Sequence, residues 1–246
     1  MTDVPEPEAP RRVLIVKPSA LGDVVTAMPA LRGLRRTFPE AHIAWLVNAA
    51  YAGLIAHDED LDEVIRFDRR RLGRAWRSAG AARDLWRLAK RLGPRQGQFD
   101  WAIDLQGLFR SGWLTGKTHA PLRAGFADAR EMAGAFYNRR VAVRAEHTVD
   151  RNIELARTLG IDARREDMTL RISPVGRGFV QDYLRTRGLR QGGFLAVVPP
   201  TRWRTKLYPI RHWRRVVARL AENVPVALLG AAGEKALTAA VAEGQG

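Results

Sequence analysis

The chain contains no cysteine. Disulfides and thiolate metal centres are therefore excluded, and the absence fits a reducing compartment. Nowhere does it carry the roughly 18 consecutive apolar residues of a membrane-crossing helix, so any membrane association is expected to be peripheral. The opening stretch MTDVPEPEAP lacks both a basic region and an apolar run, so it is not a signal peptide. It is acidic and proline-rich and reads as a short disordered leader, assigned to residues 1–11. The glycine fingerprint G-x-G-x-x-G is missing, as is a P-loop, which argues against an NAD-linked oxidoreductase. No zinc-finger spacing, RNP pattern or helix-turn-helix signal stands out, which argues against a nucleic-acid-binding protein. No metal-ligand cluster is evident either. Acidic side chains are the last scarcity: 26 Asp and Glu against 41 Lys and Arg leave a formal net charge of +15. Such a balance favours an anionic partner, whether nucleic acid, an acidic membrane surface or a phosphorylated substrate.

What is present is a globular α/β chain. Its 246 residues suit one large or two small domains, and 46% hydrophobic residues allow a real core. The stretch RVLIVKPSALGDVVTAMPALRGLRR organises the rest. Val13 to Val16 form the continuous apolar run of a buried parallel strand. A turn through Pro18, Ser19, Ala20 and Gly22 follows, then a helical pattern through Val24, Met28, Leu31 and Leu34, with Arg32, Arg35 and Arg36 as its polar face. A loop of this kind lies at the carboxyl end of its strand, where open parallel sheets bind ligands. Asp23 in that loop reads either as a carboxylate capping the helix start or as a general base in a cleft.

Further strands are predicted at 42–47, 63–67 and 122–126, with residues 99–107 a strand entering a glycine turn and a helix over 148–159 stopped by Gly160. The alternation gives a doubly wound α/β domain over 12–175. Residues 69–92 are the most basic part of the chain. They form a broken helical stripe that is either a solvated face or a surface for phosphates and lipid headgroups. Asp104 reads as an anchor for the glycine turn after its strand, and Gln106 and Arg110 sit where that strand opens onto the cleft. Residues 168–172 read as an extended segment within a link to a second unit. That unit, 176–246, holds a helix over 176–187, strands at 194–198 and 224–229, an amphipathic helix through Trp213, Val217 and Leu220, and a last helix. Lys206, in the loop between strand and helix, suits a diphosphate as well as it suits plain surface.

Lys17–Pro18–Ser19–Ala20–Leu21–Gly22–Asp23, followed by Pro29–Ala30–Leu31, resembles the opening of the bacterial lipopolysaccharide heptosyltransferases, glycosyltransferase family 9. Asp104–Leu105–Gln106–Gly107 resembles the family's Asp-x-Gln-Gly strand end. Ala129–Arg130–Glu131 and Phe136–Tyr137–Asn138–Arg139 look like segments of its heptosyltransferase I branch. The resemblance runs from residue 12 onward. It implies a GT-B architecture of two Rossmann-like domains, acceptor in the first and nucleotide-sugar in the second. It implies Asp23 as catalytic base, with Arg70, Arg71, Arg74, Arg110 and Arg130 toward a phosphorylated acceptor. Thr201, Lys206 and Glu234 would face the nucleotide-sugar; Lys206 precedes Tyr208–Pro209 where relatives have Trp-Pro. The implied reaction moves heptose from ADP-heptose to the Kdo-lipid A inner core at the cytoplasmic face of the inner membrane. It uses neither metal nor cofactor, and no nucleic acid. The alternatives are an inactive GT-B domain kept as a binding module, or a basic nucleic-acid-binding protein. The family's later Asp-Ser/Thr-Gly-x-x-His segment is absent. The 246 residues are therefore expected to be part of a longer enzyme, with an incomplete second domain that binds ADP-sugar poorly.

Overall fold

The computed structural model describes residues 8–68, 78–94, 99–201 and 204–243. The chain divides into two units, Met1–Arg171 and Ile172–Gly246. The first is built on a six-stranded sheet: β1 (Arg12–Val16), β2 (His42–Asn48), β3 (Glu63–Phe67), β4 (Trp101–Asp104), β5 (Leu122–Phe126) and β6 (Arg139–Val141). All pairings are parallel and the spatial order is β3-β2-β1-β4-β5-β6.

A parallel strand covered on both faces needs apolar residues at every position. In β1, Val13 to Val16 are fully enclosed. Val13 and Ile15 face one layer with Ile43, Trp45, Trp101 and Ile103. Leu14 and Val16 face the other with Ala44, Leu46 and Ala102. The period of two thus splits one apolar run between two cores. The first core is closed by α2 (Met28–Thr37) and α5 (Thr148–Thr158), the second by α3 (Ala79–Leu92) and α4 (Phe109–Lys117). Ordering begins before β1: the Arg11 amide donates to Asp100 Oδ2 at 2.7 Å, and the Arg11 carbonyl accepts from His42 N at 2.8 Å. Residues 1–7 of the expected leader lie outside the described residues.

The single helix expected after β1 is two. A five-residue α1 (Leu21–Val25) ends at Thr26, and α2 restarts at Met28 with Pro29 in its first turn. Pro29 has no amide to donate and would collide with the carbonyl of residue 25 in a continuous helix. In the first turn of a new helix it costs nothing. Residues 168–172 form no strand; they are open chain after a short 3₁₀ turn, Arg165–Asp167.

Gly125 in β5 is fixed by a close approach. A Cβ there would sit 2.3 Å from Cε2 of the buried Tyr137 ring. Gly125→Ala is expected to cost about 2–3 kcal/mol as an overpacking substitution. Chemical denaturation checks this, and a loss under about 0.5 kcal/mol would mean that the ring yields freely.

In the second unit, α6 (Pro174–Thr186) is started by Ser173, whose Oγ accepts from Gly176 N at 2.9 Å. β7 (Leu195–Val197) pairs in parallel with β8 (Val226–Leu228), and α7 (Ile210–Ala221) and α8 (Lys235–Ala242) follow their strands. Val198, Leu229 and Leu195 are exposed there.

Candidate active site

In a parallel sheet of this order the chain winds one way from β1 and the other way from β4, and the loops leaving the two strands part to leave a crevice. A cavity of about 300 Å³ lies at that point. Lys17 and Asp23 line it after β1, and Leu105, Gln106 and Gly107 after β4. Phe126 ends β5, Asp128 and Arg130 follow it, and Thr148, Arg151 and Asn152 come from α5.

Asp23 caps the helix start, as one reading of its sequence position had it, and it also lies in a cleft. It is the third residue of α1, and its Oδ2 accepts from the Ala20 amide at 2.7 Å, closing the first turn. The carboxylate nevertheless lines the cavity. That bond is made by Oδ2 and not by Oδ1. The loop carrying it is held from below: Ser19 N donates to Gln106 Oε1 at 3.3 Å, and Asn48 N to the Pro18 carbonyl at 3.1 Å.

Beneath the loop lies a buried polar group that sequence reasoning left out. Lys17 is 3% exposed, and its Nζ donates to the Leu105 carbonyl at 2.5 Å, tying the end of β1 to that of β4. Burial lowers its pKa, and the nearby charges of Asp23 and Asp104 pull the other way. Asp104 is fully enclosed. It accepts from Tyr137 Oη at 2.6 Å, Gln106 N at 2.8 Å and Gly107 N at 3.1 Å, so the expected turn anchor is also part of a wider network. Burial pushes both the Asp104 carboxyl and the Tyr137 phenol upward. Gly107, at φ +68°, turns the chain so that its carbonyl accepts from Arg130 N at 2.9 Å.

Arg151 and Asp128 stand in the opposite wall. Arg151 Nη2 reaches both oxygens of Asp128, at 2.7 and 2.8 Å, and its guanidinium lies 5.0 Å from the Phe126 ring centroid. Asn152, also in α5, donates from Nδ2 to the Thr26 carbonyl at 2.9 Å, bracing the end of α1. Its enclosed Oδ1 has no hydrogen-bond partner among the described residues. None of these carried a local signal: Asp128 follows β5, and Arg151 and Asn152 are neighbours on a helix whose sequence reads as core and solvent.

Of the residues singled out from the sequence, the structure brings Asp23, Gln106 and Arg130 into one cavity. Arg110 lies in the first turn of α4, exposed and outside the cavity lining. Arg70, Arg71 and Arg74 lie outside the described residues. In the second unit, Thr201 is partly buried and Lys206 is exposed in a short 3₁₀ turn. The Glu234 carboxylate accepts from its own turn's Ala231 amide at 2.8 Å. A Cβ on Gly230 would approach Pro200 Cγ to 3.2 Å and Glu234 Cβ to 3.5 Å, so the loops after β7 and β8 meet at that glycine. Among the described residues no group of three or more His, Asp or Glu side chains is placed to hold a metal ion.

The profile of glycosyltransferase family 9 (heptosyltransferase) matches residues 85–245. Lipopolysaccharide heptosyltransferase 1 of Escherichia coli K12 is 30% identical over 217 residues, covering 86% of this chain and 65% of the relative. The protein of the same name from Pseudomonas aeruginosa is 32% identical over 227 residues, covering 86% of this chain and 58% of that one. The chain thus spans less than two thirds of the length of either. Among solved structures, E. coli heptosyltransferase WaaC with ADP-2-deoxy-2-fluoro heptose superposes with a TM-score of 0.75 at 29% identity, over 95% of this chain and 73% of that one. A family 9 structure from Veillonella parvula, 19% identical, shares the fold at a TM-score of 0.79, over 99% of this chain and 68% of that one. The mixed α/β architecture with parallel sheets expected from the motifs is therefore the fold of these GT-B neighbours. The chain belongs to glycosyltransferase family 9, the heptosyltransferase family.

Proposed function

We propose that this chain carries the catalytic half of a reaction that transfers heptose from ADP-L-glycero-D-manno-heptose to the Kdo-lipid A inner core of lipopolysaccharide. The observation that carries the reading is the Asp23 carboxylate at the sheet's crossover point, in a cavity also lined by Arg130 and Arg151. A carboxylate there is placed to take the proton of an acceptor hydroxyl, and the guanidinium groups suit the phosphates or carboxylates of that acceptor. The solved relative bound to an ADP-heptose analogue supports the donor class.

The acceptor oxygen attacks the anomeric carbon as the bond to the diphosphate breaks, through an oxocarbenium-like state. The acceptor's proton passes to Asp23, and the electron pair of the breaking bond leaves on ADP. Lys206 and the start of α7 meet that negative charge, with Thr201 and Glu234 beside the nucleotide. No metal ion enters this scheme. No helix among the described residues is long and apolar enough to cross a membrane, and a lipid-anchored acceptor calls for peripheral docking at the cytoplasmic face of the inner membrane.

Lys206→Ala tests the donor side. It is expected to weaken ADP-sugar binding about tenfold, the size of a lost charge-assisted hydrogen bond. Calorimetric titration with ADP reads this directly. Unchanged affinity would return Lys206 to the role of an ordinary surface lysine. The reading as a whole is tested by mass spectrometry of the acceptor after incubation with ADP-heptose.

A further inference from the structure

We propose that the outward face of α3 and α4 docks on an anionic lipid bilayer, with Trp86 and Phe109 at the interface; this rests on the reading of the acceptor as lipid-anchored. The two helices are neighbours on one side of the sheet. α3 buries Ala81, Leu88 and Leu92 against it. At about 100° per residue, Trp86 points roughly 160° away from Leu88. It is 61% exposed, on the face where a soluble helix carries polar residues. Arg83 and Lys90 lie within about 60° of it around the same helix.

α4 adds further apolar and cationic side chains to the same side. Its exposed stripe runs Phe109, Arg110 and Lys117, with Phe109 50% exposed; Trp113 beside them is partly buried and packs against the second core. Lys90 Nζ lies 5.2 Å from the Trp86 ring centroid and Lys117 Nζ 5.3 Å from that of Trp113, each lysine one turn after its tryptophan. Within α3 the charges are Arg83, Arg87, Lys90 and Arg91 against Asp84 alone, and α4 has no acidic residue.

Amphipathic rings beside long cationic stems suit the boundary between headgroups and acyl chains. The ring enters the apolar layer while the ammonium stays with the phosphates. Single-stranded nucleic acid would use the same charge, but it stacks its bases on open ring faces. Here one face of each tryptophan ring is already covered by its own lysine.

The test is co-sedimentation of the chain with vesicles of phosphatidylcholine, alone or mixed with phosphatidylglycerol, at low salt. Binding is expected only to the anionic vesicles. Trp86→Ser is expected to weaken it several-fold and Lys90→Gln with Lys117→Gln by more than about tenfold, each cation near the surface contributing about a factor of five. Because these side chains point outward, thermal midpoints are expected to stay put. Quenching of tryptophan fluorescence by brominated lipid should fall in Trp86→Ser. Equal partitioning of wild type and variants would overturn the proposal, as would single-stranded RNA binding with the same dependence on Trp86. Transfer to detergent-dispersed acceptor separates the two readings. Transfer without vesicle binding removes the docking face alone; Trp86-dependent vesicle binding without transfer keeps the face and removes the transferase.

Discussion

Asp23→Asn is expected to lower heptose transfer by about 10²-fold or more while leaving the fold and ADP affinity close to wild type. The geometry separates the two things Asp23 does. An asparagine oxygen still accepts from the Ala20 amide, the bond that closes the first turn of α1. The surroundings of the turn, the ties from Ser19 to Gln106 and from Asn152 to Thr26, involve other atoms. Only the capacity to take a proton disappears. Transfer rates and ADP titration on the same preparation measure both halves. Near-normal turnover in a folded variant would show that Asp23 is a cap and nothing more.

Arg32→Met is expected to cost about 3–5 kcal/mol of unfolding free energy, because it strands a buried carboxylate. Asp58 has a side chain only 1% exposed, and Arg32 Nη2 donates to its Oδ2 at 2.6 Å while Nη1 reaches Asp60 Oδ2 at 2.6 Å. Arg171 offers little substitute, its Nε lying 3.8 Å from Asp58. Removing both partners, Arg32→Met with Asp58→Leu, is expected to recover much of the loss, since a well-packed apolar pair avoids the desolvation that the ions suffer. A double-mutant cycle in urea separates the pair from its surroundings. A single-mutant loss below about 1 kcal/mol would mean that water reaches Asp58 readily.

Arg32 also marks the limit of what the chain discloses to a reader of its residues. Helical spacing placed it with Arg35 and Arg36 on a polar face, and Arg35 and Arg36 do pair near the surface, with Asp62 and Asp167. Arg32 is enclosed by a loop from 26 residues downstream, and no local pattern announces such a partner. The strands were legible because parallel strands need unbroken apolar runs. β6 escaped because Arg139–Val141 is too short and too charged to show one. The break between α1 and α2 was written in Pro29, yet a continuous apolar stripe across Met28 and Leu31 concealed it. At the cavity, Asp23, Gln106 and Arg130 stood out through motifs. Lys17 lay inside the same motif and passed unremarked, since a lysine at a strand end is ordinary until burial is known. Tyr137 joins the site through its bond to Asp104, and Asn152 lines the cavity from a distant helix braced on Thr26.

The most direct measurement is the mass of Kdo-lipid A after incubation with ADP-heptose and this chain in molar excess over acceptor, so that even slow transfer is read. The expected result is an acceptor heavier by one heptose with stoichiometric release of ADP, and a shift that builds about 10²-fold more slowly, or not at all, with Asp23→Asn. An acceptor left unchanged by the wild-type chain while ADP-heptose remains bound would contradict the account, and so would a shift of equal size and rate from the Asp23→Asn variant.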